Sequence, residues 1–401
     1  MAILENTTSI GLGTSIKKDP VLAAKEAVQQ AKLGLHKDKV DLAIVFASID
    51  LSSVNLLKTI ASHIEGVPII GCSGAAVISN HGILKRGIVI MLVSIKKDIY
   101  FNTACIKDVM AKTPAGAGIE LGDKLLYGFH EVRRGLSLIF SDGLIDEGSN
   151  IIFGLEERFG RSFPLIGAAA ADNLAFKKTY VFYNQELLNN AACGILWGGK
   201  LNFGFGIKHG WKPLGKHHTV TKSRGNMVQE IDGIPAAKIY EDYLACDLKK
   251  LRSELKRVSI FYPIGIYVPG EEEYLLRNIL YVLDNEAIIF QGNVPEGSQI
   301  RLMISTKENC LNAVHEALEE AKKGLWGYKS RFVLIFESIS RYILLGRQAG
   351  KELEIVKEGL DKDTPIIGVY TYGEQAPLKA MNYQGRPHFH NQTITIVAMG
   401  G

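Results

Sequence analysis

One passage is written three times along this chain, and that repetition constrains the fold more than any other feature. Residues 41–48 read Asp-Leu-Ala-Ile-Val-Phe-Ala-Ser and lead to Pro-Ile-Ile-Gly at 68–71. Residues 136–142 read Leu-Ser-Leu-Ile-Phe-Ser-Asp and lead to Pro-Leu-Ile-Gly at 164–167. Residues 331–338 read Arg-Phe-Val-Leu-Ile-Phe-Glu-Ser and lead to Pro-Ile-Ile-Gly at 365–368. From Phe46, Phe140 and Phe336 to Gly71, Gly167 and Gly368 the spacing is 25, 27 and 32 residues, enough for a strand, a helix and a second strand. A helix precedes each copy. Val21, Ala24, Val28, Ala31 and Leu35 step by three and four, as do Leu311, Val314, Leu318, Ala321 and Leu325, and Leu121, Leu125 and Phe129 do so more loosely. Asp19-Pro20 supplies a cap and a first-turn proline.

The strands are near-continuous apolar runs, as in sheets covered on both faces, and helices alternating with such strands imply crossovers and parallel pairing. Each copy therefore reads as an α-β-α-β unit, and the chain as a mixed α/β protein of layered sheets flanked by helices. Between the second and third copies the pattern changes to short, glycine-broken strands. Segments 218–222 and 227–231 flank Ser223-Arg-Gly-Asn226 as a hairpin, and further strands are predicted at 258–268, 276–283, 287–291 and 299–305. This is an antiparallel meander. A boundary falls near Asp232-Gly-Ile-Pro235, before a helix over 235–244, so two domains are expected, 1–234 and 235–401, with an extensive interface.

Composition excludes several classes. Hydrophobic residues make up 47% and charged residues 22%, a globular rather than a disordered balance. The net charge of +4 is scattered, and the densest basic run, Lys249-Lys250-Leu251-Arg252, reads as a solvated helix face rather than a nucleic-acid patch. Cys72, Cys105, Cys193, Cys246 and Cys310 are odd in number and widely spaced, against a disulfide framework and a zinc site. No signal-peptide pattern opens the chain, and no apolar run approaches the roughly 20 residues of a membrane helix, so a cytoplasmic protein without a membrane partner is expected.

Ligands on open α/β sheets gather where strands end. That rule selects Gly71-Cys72-Ser73-Gly74, Ser141-Asp142, Asp172-Asn173, and Tyr370, Tyr372 and Glu374. The last three alternate, as residues on one strand face do; two aromatics and a carboxylate there suit an amine-bearing ligand or an ordinary interface. Cys72 has the position of a nucleophile but no histidine at a telling distance, and Asp142 could equally cap a helix. His388 and His390 share a strand face without a third metal ligand in view. His209, His217 and His218 are candidate axial haem ligands. Walker, His-Glu-x-x-His and Gly-x-Gly-x-x-Gly motifs are absent; Gly11-Leu-Gly13 and Gly204-Phe-Gly206 lack the third glycine.

The run from Gly206 to Gly215 (Gly-Ile-Lys-His-Gly-Trp-Lys-Pro-Leu-Gly), with Thr219-Val-Thr-Lys and Ile231-Asp-Gly-Ile-Pro-Ala236, resembles the end of a FIST N domain. Pro365-Ile-Ile-Gly-Val-Tyr-Thr-Tyr-Gly-Glu374, followed by His390-Asn-Gln-Thr-Ile-Thr-Ile-Val397, resembles the end of a FIST C domain. The resemblance covers nearly the whole chain. It implies an intracellular signal-transduction input module that binds a small ligand, with amino acids suspected, and no catalytic set to carry over. No output module is recognised in the sequence, so signalling through a separate partner, such as a histidine kinase or a diguanylate cyclase, is expected, and a homodimer would be common for a sensor. The alternatives that stay open are a haem-binding nitric-oxide sensor regulating a histidine kinase or a cyclic-di-GMP enzyme, and a Cys72-dependent enzyme.

Overall fold

A computed structural model describes residues 7–36, 39–145, 147–245, 247–378 and 385–400; Cys246 lies outside them. The first unit runs β1 (Ser9–Ser15), α1 (Pro20–Gly34), β2 (Leu42–Ser48), α2 (Val54–His63), β3 (Ile69–Gly74), the hairpin β4 (Val77–Ser79) and β5 (Gly82–Leu84), and β6 (Ile88–Ser94). The second repeats this order: β7 (Ile99–Lys107), α3 (Pro114–Leu126), β8 (Arg134–Ser141), α4 (Asn150–Phe159), β9 (Leu165–Ala169), β10 (Val181–Tyr183), β11 (Glu186–Leu188) and β12 (Ala191–Gly199). The third opens with β13 (Asn202–Lys208) and is then interrupted by an inserted module. The module comprises β14 (Lys212–Arg224), β15 (Met227–Ile231), β16 (Ile234–Pro235), α5 (Lys238–Leu244), α6 (Leu248–Ser253), α7 (Leu255–Phe261), β17 (Ile264–Ile266), β18 (Leu275–Arg277), β19 (Ile279–Val282), β20 (Ile288–Phe290) and β21 (Gln299–Ile304). The third unit resumes as α8 (Lys307–Gly324), β22 (Ser330–Ser338), α9 (Ile339–Leu345), α10 (Gly350–Glu358), β23 (Ile366–Thr371), β24 (Gly373–Pro377), β25 (Pro387–His390) and β26 (Ile394–Gly400).

Each unit builds a six-stranded sheet and lends its hairpin to another. The orders are β1-β6-β2-β3-β10-β11, β7-β12-β8-β9-β24-β25 and β13-β26-β22-β23-β4-β5. Equivalent positions receive the borrowed strands: Cys72 opposite Val181, Ala168 opposite Glu374, and Val369 opposite Val77. The expected α-β-α-β unit is therefore longer at both ends. Among the described residues, parallel pairing is confined to β2/β3, β8/β9 and β22/β23, neighbours joined by helical crossovers; β1 and β2, and β7 and β8, are also joined through a helix but have antiparallel β6 and β12 between them, and the other ladders are antiparallel.

The apolar strands are explained by burial on both faces. Leu42, Ile44 and Phe46 of β2 point into a core shared by all three sheets, while Ala43, Val45 and Ala47 meet α1 and α2. Residues of β8 and β22 divide likewise between the shared core and their own helices. At its centre Phe46, Phe140 and Phe336 meet edge to face, with centroids 5.5, 5.8 and 6.1 Å apart. Gly11 and Gly13 let α1 press on β1, and Gly204 and Gly206 let α8 press on β13. A Cβ at any of them would lie 1.8–2.1 Å from a helix carbonyl oxygen.

The module forms an eight-stranded sheet over its own core, with the 223–226 hairpin as expected. One expectation fails here. Residues 255–261 are helix α7 rather than the start of a strand over 258–268, because Val258 and Ile260 pack inward while Lys256 and Arg257 face solvent, and only Ile264–Ile266 is strand. No helix among the described residues is long and apolar enough to cross a membrane.

Candidate functional site

Where β9, β22 and β23 end, the module leans over the three-unit body and leaves a cleft of about 420 Å³. The body contributes Leu174 and Phe176 from the loop after β9, Ile339 and Ser340 at the start of α9, and Tyr372 between β23 and β24. The module contributes α6 and α7, with Arg252, Ser253 and Lys256 at the mouth, and Asn278 to Tyr281 from β19 and the residue before it. The crevice rule for strand ends is obeyed by the second and third units.

Asp172 organises the wall. Its carboxylate accepts hydrogen bonds from the amides of Ala175, Phe176, Lys177 and Lys178 at 2.8–3.1 Å, and from the Tyr372 hydroxyl. Burial alone would push this carboxyl up, but the Tyr372 hydroxyl and the backbone donors together hold it below the usual carboxylate range. The clamp forces Leu174 and Phe176 into left-handed backbone conformations, φ +68° and +50°. Such conformations persist only where surrounding contacts over-determine them. Phe176 is thereby laid flat on Tyr372, centroids 4.3 Å apart and planes 5° from parallel. Tyr372 is buried beneath it and Phe176 stays 44% exposed, so one aromatic face is available.

The floor is a chain of linked amides. Gln291 Nε2 donates to the Tyr372 carbonyl (2.6 Å), Asn278 Nδ2 to Gln291 Oε1 (3.3 Å), and Gln392 Nε2 to Asn278 Oδ1 (2.5 Å) and the Ser259 carbonyl (3.0 Å). Behind α9 lies a buried charge cluster. Arg341, next to the cleft-lining Ser340, is wholly buried and pairs with Glu352 at 2.5 Å, with Glu337 at 3.7 Å. Burial, and then the neighbouring Glu352, push the Glu337 carboxyl well above its ordinary value despite Arg341.

The sequence-selected residues divide sharply. Asp172 and Tyr372 belong to the cleft wall; Asn173 is exposed on the same loop. Tyr370, Tyr372 and Glu374 do not share a strand face, because the chain passes from one sheet to another at Tyr372. Tyr370 is buried against Tyr342. Glu374 accepts from both Thr371 Oγ1 and Thr393 Oγ1 at 2.6 Å, and burial pushes it up to about 8. Gly71, Cys72, Ser73 and Gly74 lie in β3, away from the cleft. Cys72 is in the shared core, where burial holds its thiol far above the ordinary value. Ser73 Oγ donates to the Ala171 carbonyl and accepts from the Tyr180 amide, joining two units. A Cβ at Gly74 would strike Val369. Ser141 Oγ accepts from Gln375. Asp142 ties down the amides of Leu144 and Asn190 and the Thr179 hydroxyl.

The haem candidates do not form an axial site. His209 Nδ1 accepts from the Trp211 amide (2.8 Å) and its Nε2 faces the Glu273 carboxylate (2.8 Å). His218 spends its nitrogens on Asp232 and the Tyr243 hydroxyl, and exposed His217 lies outside the cleft lining. His209 and His218 therefore have both ring nitrogens engaged and offer none to a haem iron. His390 Nε2 donates to the Ala376 carbonyl, and no group of three metal-ligating side chains occurs among the described residues. Sequence reasoning missed Phe176, in the loop after β9, and Arg252, Lys256, Asn278 and Gln291, in a module that carries no motif to mark them.

The FIST N domain model matches residues 41–234 and the FIST C domain model residues 236–377. An uncharacterized protein of Methanocaldococcus jannaschii is 24% identical over 390 residues, covering 89% of this chain and 73% of its own length. Among solved structures, a cyanuric acid hydrolase from A. caulinodans aligns over 98% of this chain and 99% of its own at 6% identity and a TM-score of 0.35. T. maritima PurL complexed with FGAR aligns over 98% and 73% at 8% identity and a TM-score of 0.23.

Proposed function

The chain belongs to the FIST family, which is associated with sensing in signal transduction, and from that premise we propose that it binds a small molecule in the cleft under the module without turning it over. The observation that carries this reading is the wall itself: a buried carboxylate spends all its bonds on forcing a strained loop to present an aromatic face to a cleft of ligand size. No Cys, His, Asp or Glu lines the cleft among the described residues, which supports binding over catalysis. The bound state would then be passed to a separate signalling protein such as a histidine kinase or a diguanylate cyclase. Homodimerisation belongs to the same proposal, and sedimentation velocity checks it.

The test is a thermal-shift and calorimetric screen of small metabolites, starting with the amino acids that the family likeness suggests. Hits are then repeated on Tyr372→Ala, which removes the base of the aromatic stack, and on Ser253→Trp, which fills the mouth. Loss of binding in both folded variants supports the cleft; unchanged affinity in both moves the site elsewhere.

A further inference from the structure

The cleft has a charge character that its shape alone does not reveal. Arg252 at the end of α6 and Lys256 at the start of α7 stand at its mouth, and no acidic side chain lines it among the described residues. Arg252 is held by the Val282 carbonyl (3.1 Å) and by fully exposed Asp284 (2.8 Å), so part of its charge is answered. Lys256 is exposed and makes no side-chain ion pair or hydrogen bond among the described residues. Arg277, next in the chain to Asn278 on the floor, is buried; its guanidinium donates to the carbonyls of Leu276, Phe389 and Asn293 and to no carboxylate. Lys256 and Arg252 are thus the charged side chains that line the cleft among the described residues, and the Asp172 carboxylate behind the wall has its bonds taken up by the loop amides and Tyr372. The floor amides bond to one another and to backbone carbonyls, except for the buried Gln392 Oε1, and Leu174, Leu255, Ile279 and Ile339 line the cleft with Phe176 as apolar wall.

We propose that the ligand is a small organic acid with a flat apolar body and no amine, its body against Phe176 and its anionic group at Lys256. A zwitterionic amino acid is the wrong class for this cleft, because its ammonium would be desolvated with no carboxylate to receive it. An anion meets Lys256 and Arg252 at the mouth, where it keeps part of its hydration. The inference rests on the reading of the cleft as the binding site.

Three probes share a phenyl body and differ in charge: 3-phenylpropanoate, L-phenylalanine and phenethylamine. Each is titrated against the full chain by displacement of 8-anilinonaphthalene-1-sulfonate, an anionic dye, and of N-phenyl-1-naphthylamine, its neutral counterpart. The expected order is propanoate first, at least roughly fivefold ahead of phenylalanine, with phenethylamine weakest. Lys256→Glu lowers propanoate affinity by roughly tenfold and Lys256→Met by less, since reversal adds repulsion to the lost attraction. Added salt weakens propanoate and leaves the neutral dye unchanged. Phenylalanine binding as tightly as propanoate, or Lys256→Glu without effect, overturns the assignment of ligand class. So does failure of all three probes while the neutral dye still binds and is expelled by Ser253→Trp. Dye binding that Ser253→Trp does not alter shows instead that the cleft is not the site, and the proposal falls with it.

Discussion

A methyl group added at Gly167 would lie 1.8 Å from the carbonyl oxygen of Ile139, and one at Gly71 would lie 1.8 Å from that of Val45. At Gly368 the distance to the Ile335 oxygen is 2.6 Å. Each oxygen belongs to the residue just before a central phenylalanine, so the repeated Pro-x-Ile-Gly glycine marks where a parallel neighbour crosses too close for any side chain. Gly167→Ala is expected to destabilise by roughly 3 kcal/mol or more. Gly350→Ala, in open space at the start of α10, should be neutral or slightly stabilising. Urea denaturation of both variants checks the contrast. Glu374 carries a pH signature. In the unfolded chain its carboxyl ionises near 4.5, whereas in the fold burial keeps it neutral up to about 8. The folded state thus holds the extra proton between those values, and the stability it contributes is full below 4.5 and falls as pH rises to 8. Glu374→Gln removes that proton, so wild type should lose ground to the variant from pH 5 to pH 8, by on the order of a few kcal/mol. Equal slopes in paired denaturation series would show that Glu374 is ionised in the fold.

At the scale of elements, the loop after β9 is the part that its own sequence does not hold. Two of its non-glycine residues sit in the left-handed region, and four of its amides end on one carboxylate. Asp172→Ala should release the loop while leaving the sheets intact. Hydrogen exchange of amides 175–178 is expected to rise well above wild type while that of β8 and β22 stays slow. Uniform acceleration would instead mean that Asp172 holds up the whole fold. Helix α9 is the other element of interest, because Ile339 and Ser340 face the cleft while Arg341 anchors the charge cluster behind it. A ligand pressing on the start of α9 acts one residue away from a buried ion pair in which two Arg341 nitrogens meet one Glu352 oxygen.

For the whole molecule, the exchange of hairpins makes three sheets one body. The first unit's β4 and β5 complete the third sheet, the second unit's β10 and β11 the first, and the third unit's β24 and β25 the second. The junction between the FIST N and FIST C matches falls in β16, inside the module, and not between separate sheets. A fragment ending at 234 lacks β24 and β25 and exposes the edge of β9. It is expected to aggregate or stay partly folded, as checked by size exclusion and circular dichroism. Phe140→Ala, at the meeting point of the three rings, should cost about 3–5 kcal/mol in one cooperative transition. Two resolved transitions would show that the units melt separately.

The repeat itself was legible in the chain because it is local: an apolar run, a helical period and a glycine recur at fixed spacing, and each follows from backbone geometry. The same locality revealed the hairpin at 223–226 and the cap at Asp19, and turned attention to strand ends, where Asp172 and Tyr372 stand. Which strand pairs with which was not legible, since a three-residue strand such as Val77–Ser79 carries the same text whichever sheet it completes. The polar residues at strand ends read alike for the same reason: Ser73 joins two units, Asp142 and Glu374 tie down segments of their own units, and Asp172 shapes the cleft. Helix α7 was misread because Val258 to Ile260 is apolar in either conformation, and packing against β19 decided it. The cleft exists only when a module folded far along the chain is laid across the second and third units. Its charge and its aromatic face are therefore properties of tertiary structure, where burial and juxtaposition assign roles that residue type leaves open.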